Sequence, residues 1–219
     1  MTRLSTEFAR LFAVDAGAAL LDEAGCTRAL VMDWPAPADW AALGALWRGV
    51  QDSLGWPAPA IAASGEALQL WFSLAEAVEA SVAQDLLLAL RERFLSAGQP
   101  LPVRFWPRQG QHAPRPGAPL PGDERWSAFV APDLAPLFAQ TPWLDVPPSD
   151  DGQATLLAGL GSVPPERLAP LRVAPPAAEA GSASGADPRA FLVQVMNDTS
   201  VPLALRIEAA KALLTAQVR

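Results

Sequence analysis

Apolar positions recur along the chain with two different periods, and the switches between them predict an ordered set of elements. Residues 1–26 read as helical, with Ser5 available as a cap and Phe8, Leu11 and Phe12 on one face. Residues 28–33 (RALVMD) are a short apolar run, halted by Pro35 and Pro37, which lack the N–H that a ladder needs. Asp39 is placed to cap a helix whose Trp40, Leu43, Leu46, Trp47, Val50 and Leu54 follow a 3.6 period, and Gly55 ends it. Residues 59–64 (PAIAAS) and 67–74 (ALQLWFSL) read as two strands about Gly65-Glu66, a hairpin-like spacing. Residues 76–95 form a helix with Val78, Val82, Leu86, Leu90 and Phe94 at intervals of four. A strand at 103–106, a Pro-rich loop to Gly122, a strand at 126–130 and a short helix at 131–140 follow. Asp145, Asp150 and Asp151 lie in WLDVPPSDDG, which reads as a solvated turn capping a helix at 153–160, with cation attraction as the alternative.

The order β-α-β-β-α-β predicts an α+β, ferredoxin-like fold: an antiparallel sheet with two helices on one face. Four segments are expected. They are an N-terminal helical segment (1–26), the core (27–172), a flexible Pro/Ala/Gly/Ser linker (173–187) and a helical hairpin (188–219).

Composition narrows the function classes. Over 219 residues, 51% hydrophobic and 18% charged positions argue for a sizeable core and against global disorder. A net charge of -7 excludes a protein that coats phosphates broadly, yet leaves room for a local basic site. Fifteen of the sixteen basic residues are Arg, which with 23 Pro and no Tyr suggests a GC-rich genome. The single Cys26 excludes an internal disulfide or Cys-rich metal site, and suits a reducing cytoplasm. The single His112 excludes a His-cluster metal site and, in its Pro/Gly-rich loop, reads as solvated rather than catalytic. No run reaches about 18 uninterrupted apolar residues, so no membrane span is expected. Arg3, Glu7, Arg10 and Asp15 break any signal-peptide core. Nothing in the pattern calls for a cofactor.

One constellation carries candidate chemistry. Asp33 ends the first strand, and Ser64-Gly65-Glu66-Ala67-Leu68-Gln69 runs through the hairpin into the third, which the fold makes its neighbour. This layout, over residues 27–106, resembles the archaeo-eukaryotic primase superfamily, including the polymerase domains of bacterial end-joining ligases. There the first strand ends in Asp-x-Asp and a Ser-Gly-x-Gly-x-His turn follows. The resemblance implies Asp33 as the first metal-binding acid, Ser64 and Gly65 in the turn, and Asp145 or Asp133 as the third acid. The sequence departs at Pro35 for the second acid, Ala67 for the second glycine and Gln69 for the histidine, which implies a degenerate, non-catalytic member. The residues alone favour the plainer alternative, in which Asp33 ends a strand, Gly65 serves a tight turn and Gln69 faces solvent.

Arg104, Arg108, Arg115 and Arg125, with Trp106, form the one clearly basic stretch and suit single-stranded nucleic acid, where aromatics stack bases. The alternative is a core strand followed by a solvated loop. Of eight tryptophans most fall at core periods, while Trp34 and Trp56, at element ends, stand ready to line a groove. The tail FLVQVMNDTSVPLALRIEAAKALL resembles a hairpin of phage small-terminase-like proteins, with Phe191, Leu192, Leu203, Ile207 and Leu214 as a partner-binding stripe. Together these lead to an expectation: a non-catalytic accessory protein in phage- or mobile-element-associated nucleic-acid processing. A protein–protein adaptor and a small-molecule sensor using a Trp-lined sheet are the alternatives.

Overall fold

Ten successive residues of the first strand show how the sheet is built. In β1 (Cys26–Pro35), Leu30, Met32 and Trp34 point to one face and Ala29, Val31 and Asp33 to the other, as a period of two requires. Both faces are buried, so β1 reads as a continuous apolar run rather than an alternating one. In this computed structural model, residues 2–15, 19–95, 102–122 and 124–172 are described. The linker 173–187, the segment 188–219 and the five apolar residues singled out there lie outside them.

Along the chain come α1 (Arg3–Phe12), β1, α2 (Trp40–Leu54), β2 (Ala60–Ala63), β3 (Ala67–Glu79), α3 (Ala80–Phe94), β4 (Arg104–Trp106) and β5 (Ala128–Val130). A short 3-10 turn at Ala135–Phe138, α4 (Asp150–Ala158), a second 3-10 turn at Pro165–Arg167 and α5 (Ala169–Arg172) complete it. The strands form one antiparallel sheet in the order β4-β1-β3-β2-β5. The described residues belong to a single unit. No helix among them is long and apolar enough to cross a membrane.

One face of the sheet packs against α2 and α3 through Leu43, Leu46, Val50, Leu86, Leu87 and Leu90. The opposite face is also covered, which the strand order alone did not predict. Leu4, Phe8, Leu11 and Phe12 of α1, with Ala154 and Leu157 of α4, pack on Ala29, Val31, Ala62, Trp71 and Phe129. Arginines stitch this second layer in place. Arg10 donates to the Leu157 and Leu160 carbonyls, and Arg28 to those of Arg10, Ala13 and Leu74.

Several expected boundaries move. The N-terminal helix spans only Arg3–Phe12, capped by Thr2 rather than Ser5, whose N–H donates to the Thr2 hydroxyl. Strand β3 runs on to Glu79, so Val78 pairs with Thr27 and leaves the helical stripe. The helix-favouring sequence there yields to ladder bonds with β1, beyond a register shift between Thr27 and Ala29. The expected helix at 131–140 shrinks to one 3-10 turn, and α4 starts at Asp150 with Ser149 as its cap. Asp39 and Gly55 bound α2 as expected, Gly55 with φ +61°.

His112 is the sharpest correction. It is half-buried rather than free in a loop: its Nε2 lies 3.0 Å from the Ala29 carbonyl and its ring centroid 5.8 Å from that of Trp71. Burial holds the imidazole below its ordinary value, against the pull of the Ala29 carbonyl. The sign follows. A depressed folded pKa means stability is complete above about pH 6.5, the unfolded value, and is lost as pH falls through it. His112→Gln is expected to lose that acid-side slope, read from urea midpoints at pH 7.5 and pH 5.0. Equal slopes in both proteins would contradict the assignment.

Candidate functional site

The strand register brings the two ends of the constellation together. Asp33 faces Gln69 across β1 and β3, and faces Arg104 across β1 and β4. All three sit on the α1 side of the sheet, beyond the part that α1 covers. The Gln69 amide nitrogen donates to Asp33 Oδ1 at 3.2 Å, and Trp71 Nε1 donates to Gln69 Oε1 at 2.8 Å. Arg104 Nε donates to Asp33 Oδ2 at 2.5 Å. A four-residue polar ladder, Trp71–Gln69–Asp33–Arg104, thus crosses the sheet. The option that Gln69 faces solvent is overturned, since it and Asp33 are each 2% exposed.

The ladder's outer end opens on a cleft of about 570 Å³. Asp33, Ser64, Gly65, Glu66, Gln69, Arg104 and Trp106 form its sheet side, and Arg108, Arg115, Arg125, Ser127 and the 114–121 loop its walls. All four arginines of the basic stretch therefore converge, against two carboxylates. Asp133 and Asp145 do not line the cleft, so the candidate metal acids are not brought together. Among the described residues no cluster of three or more His, Cys, Asp or Glu is arranged to hold a metal ion.

Local structure explains each placement. Gly65 has φ +98°, which favours glycine, and an added Cβ would lie 2.6 Å from the tip of the Leu120 side chain, which would have to shift. The Ser64 hydroxyl donates to the Ala67 carbonyl at 3.0 Å and serves the turn. Arg108 and Gln111 exchange both backbone bonds around Gln109 and Gly110, which have positive φ, making a tight hairpin that projects Arg108.

Three arginines rest on rings: Arg108 over Trp106 at 4.2 Å, Arg115 over Phe8 at 4.3 Å and Arg125 over Trp143 at 4.4 Å. Arg115 also donates to the Ser5 hydroxyl at 3.3 Å. Trp106 is half-buried, packs on the α1-side apolar cluster and carries the Arg108 guanidinium over its ring. Trp34 and Trp56 line no groove here; both are core residues, 2% and 3% exposed.

Burial pushes the Asp33 carboxyl above the usual range, opposed by the Arg104 guanidinium and the Gln69 amide. Arg104 supplies the positive charge beside Asp33. The arrangement's two carboxylates, Asp33 and Glu66, both meet the Arg104 guanidinium, at 2.5 Å and 3.8 Å, and no third acid joins them among the described residues. What it offers chemically is an array of guanidinium donors around a closed polar ladder.

No significant match to this chain is found among family models, curated proteins or solved structures.

Sequence reasoning missed Ser127, Leu120 and Trp71 as parts of this site. The signal for Trp71 was present, since it lies two residues from Gln69 on the same face. Nothing in the sequence places Leu120 over Gly65.

Proposed function

We propose that this chain is a non-catalytic binding protein whose arginine-lined cleft holds single-stranded nucleic acid, in the manner of an accessory factor. The observation that carries the reading is the convergence of Arg104, Arg108, Arg115 and Arg125 on one cleft in a chain of net charge -7. We further propose a ferredoxin-like, primase-polymerase-like core. Its support is the β4-β1-β3-β2 order with β5 added at the edge, and the adjacency of Asp33 to the Ser64–Gln69 segment. Arg104 in place of a metal, and Pro35 and Gln69 in place of an acid and a histidine, support a degenerate member. A phage or mobile-element setting rests on the tail sequence alone.

Fluorescence anisotropy of labelled single-stranded DNA at low salt tests this. Binding is expected that weakens with salt and drops several-fold in Arg108→Ala, without dependence on Mn²⁺. Binding that Mn²⁺ strengthens in the native protein but not in Asp33→Asn would overturn the replacement of the metal by Arg104. No binding at tens of micromolar protein would overturn the nucleic-acid reading. The adaptor reading would then lead, favoured by Leu134 and Leu137, 50% and 71% exposed beside the 3-10 turn after β5.

A further inference from the structure

We propose that the cleft recognises the phosphates of a nucleic-acid strand and neither stacks nor reads its bases; this rests on the nucleic-acid reading above. Base stacking needs a free aromatic face. Among the described residues Trp106 is the one aromatic side chain lining the cleft; it is half-buried, packs on the α1-side apolar cluster and carries the Arg108 guanidinium 4.2 Å from its ring centre. The ring serves as a seat for the arginine, not as a platform for a base.

Reading base edges needs exposed, uncommitted neutral donors and acceptors; among the described residues the hydroxyl and amide side chains of the cleft are engaged, and Trp106 Nε1, though unpaired, is buried. Ser64 Oγ donates to the Ala67 carbonyl. Ser127 Oγ donates to the Ala118 carbonyl at 3.0 Å and accepts from the Ala118 N–H at 3.2 Å. Gln69 gives its amide N–H to Asp33 and takes the Trp71 N–H on its oxygen. The groups left to meet a ligand are guanidinium N–H donors. The guanidinium of Arg108 is oriented by a ring, and that of Arg115 by a ring and by one bond to the Ser5 hydroxyl, which leaves their remaining in-plane donors to meet phosphate oxygens. Such a site is indifferent to sequence.

Anisotropy competition with the full chain decides the matter. The probes are labelled dT12, dA12 and a strand of twelve abasic sugar-phosphate units of equal charge. All three are expected to bind within about threefold of one another, with parallel log–log salt slopes of about −1.4, as two neutralised phosphates give on a single strand. An abasic strand that binds more than about fivefold weaker than dT12, the effect of even one stacked base, would overturn the inference while leaving the nucleic-acid reading standing. A preference above about fivefold between dT12 and dA12 would overturn it likewise. If no strand binds, both readings fall together.

Discussion

Trp71→Ala is expected to cost about 3–5 kcal/mol from the lost ring, and about 1–3 kcal/mol more from the buried carbonyl of Gln69 left without a donor. Against a total stability of about 5–15 kcal/mol, that leaves the variant marginal or unfolded at room temperature. The ring is fully buried at the centre of the α1-side layer. Its centroid lies 5.3–6.0 Å from those of Phe8, Phe12 and Phe129, mostly edge-on. Trp71→Phe separates the two contributions, because it keeps aromatic bulk and deletes the N–H. It is expected to fold, to lose a smaller part of the stability and to loosen the Gln69–Asp33 bond. Urea denaturation of both variants checks this. Near-native stability in Trp71→Ala would contradict the packing described for this face.

Arg104→Ala removes the guanidinium paired with a carboxylate that is 2% exposed. Breaking a fully buried pair in this way costs about 3–5 kcal/mol. The Arg104 side chain is 36% exposed, so screening reduces the expected loss to about 1–3 kcal/mol at neutral pH. The sign of the pH dependence is fixed by Asp33. Its folded pKa already lies above the unfolded value of about 3.9, and losing Arg104 removes a force that opposed the rise. A raised acid pKa favours the protonated folded state, so the penalty is small below about pH 4 and grows as pH rises through the folded pKa. Arg104→Ala is therefore expected to approach native stability in acid and to fall behind at neutral pH. Adding Asp33→Asn should recover most of the difference, since no buried charge is then left. A deficit independent of pH, or unaffected by Asp33→Asn, would show that Arg104 acts through packing and not through its charge.

The two experiments concern neighbouring rungs of one ladder, so their effects are not expected to add. Trp71 fixes Gln69, Gln69 and Arg104 share the two oxygens of Asp33, and residues in one network couple by about 0.5–3 kcal/mol. A double-mutant cycle between Trp71→Phe and Arg104→Ala reads that coupling directly.

How much of this was legible beforehand follows from which signals are local. The helix α2 was written out by Asp39, its 3.6-period stripe and Gly55, because caps and periodicity act within a few residues. The hairpin of β2 and β3 was legible for the same reason. The element order placed β1 beside β3, and so brought Asp33 and Gln69 within reach of each other. Composition limited a basic site to one stretch, and that stretch is where the arginines of the cleft lie.

What the sequence left open depends on contacts between residues far apart in the chain. Whether Asp33 meets a metal or an arginine is decided by the β1–β4 register, which brings residue 104 opposite residue 33. The burial of His112 depends on its loop folding back onto Ala29 and Trp71. That Trp106 seats an arginine instead of offering a stacking face depends on the hairpin turn at Gln109-Gly110 and on apolar packing behind the ring. By itself the sequence determined most of the elements, their order and many of the residues able to do chemistry, since propensity, capping and periodicity are short-range. Only the tertiary structure decided which of those residues meet and which are spent on one another, because hydrogen bonds and charge pairs form wherever packing of the apolar faces brings their partners together.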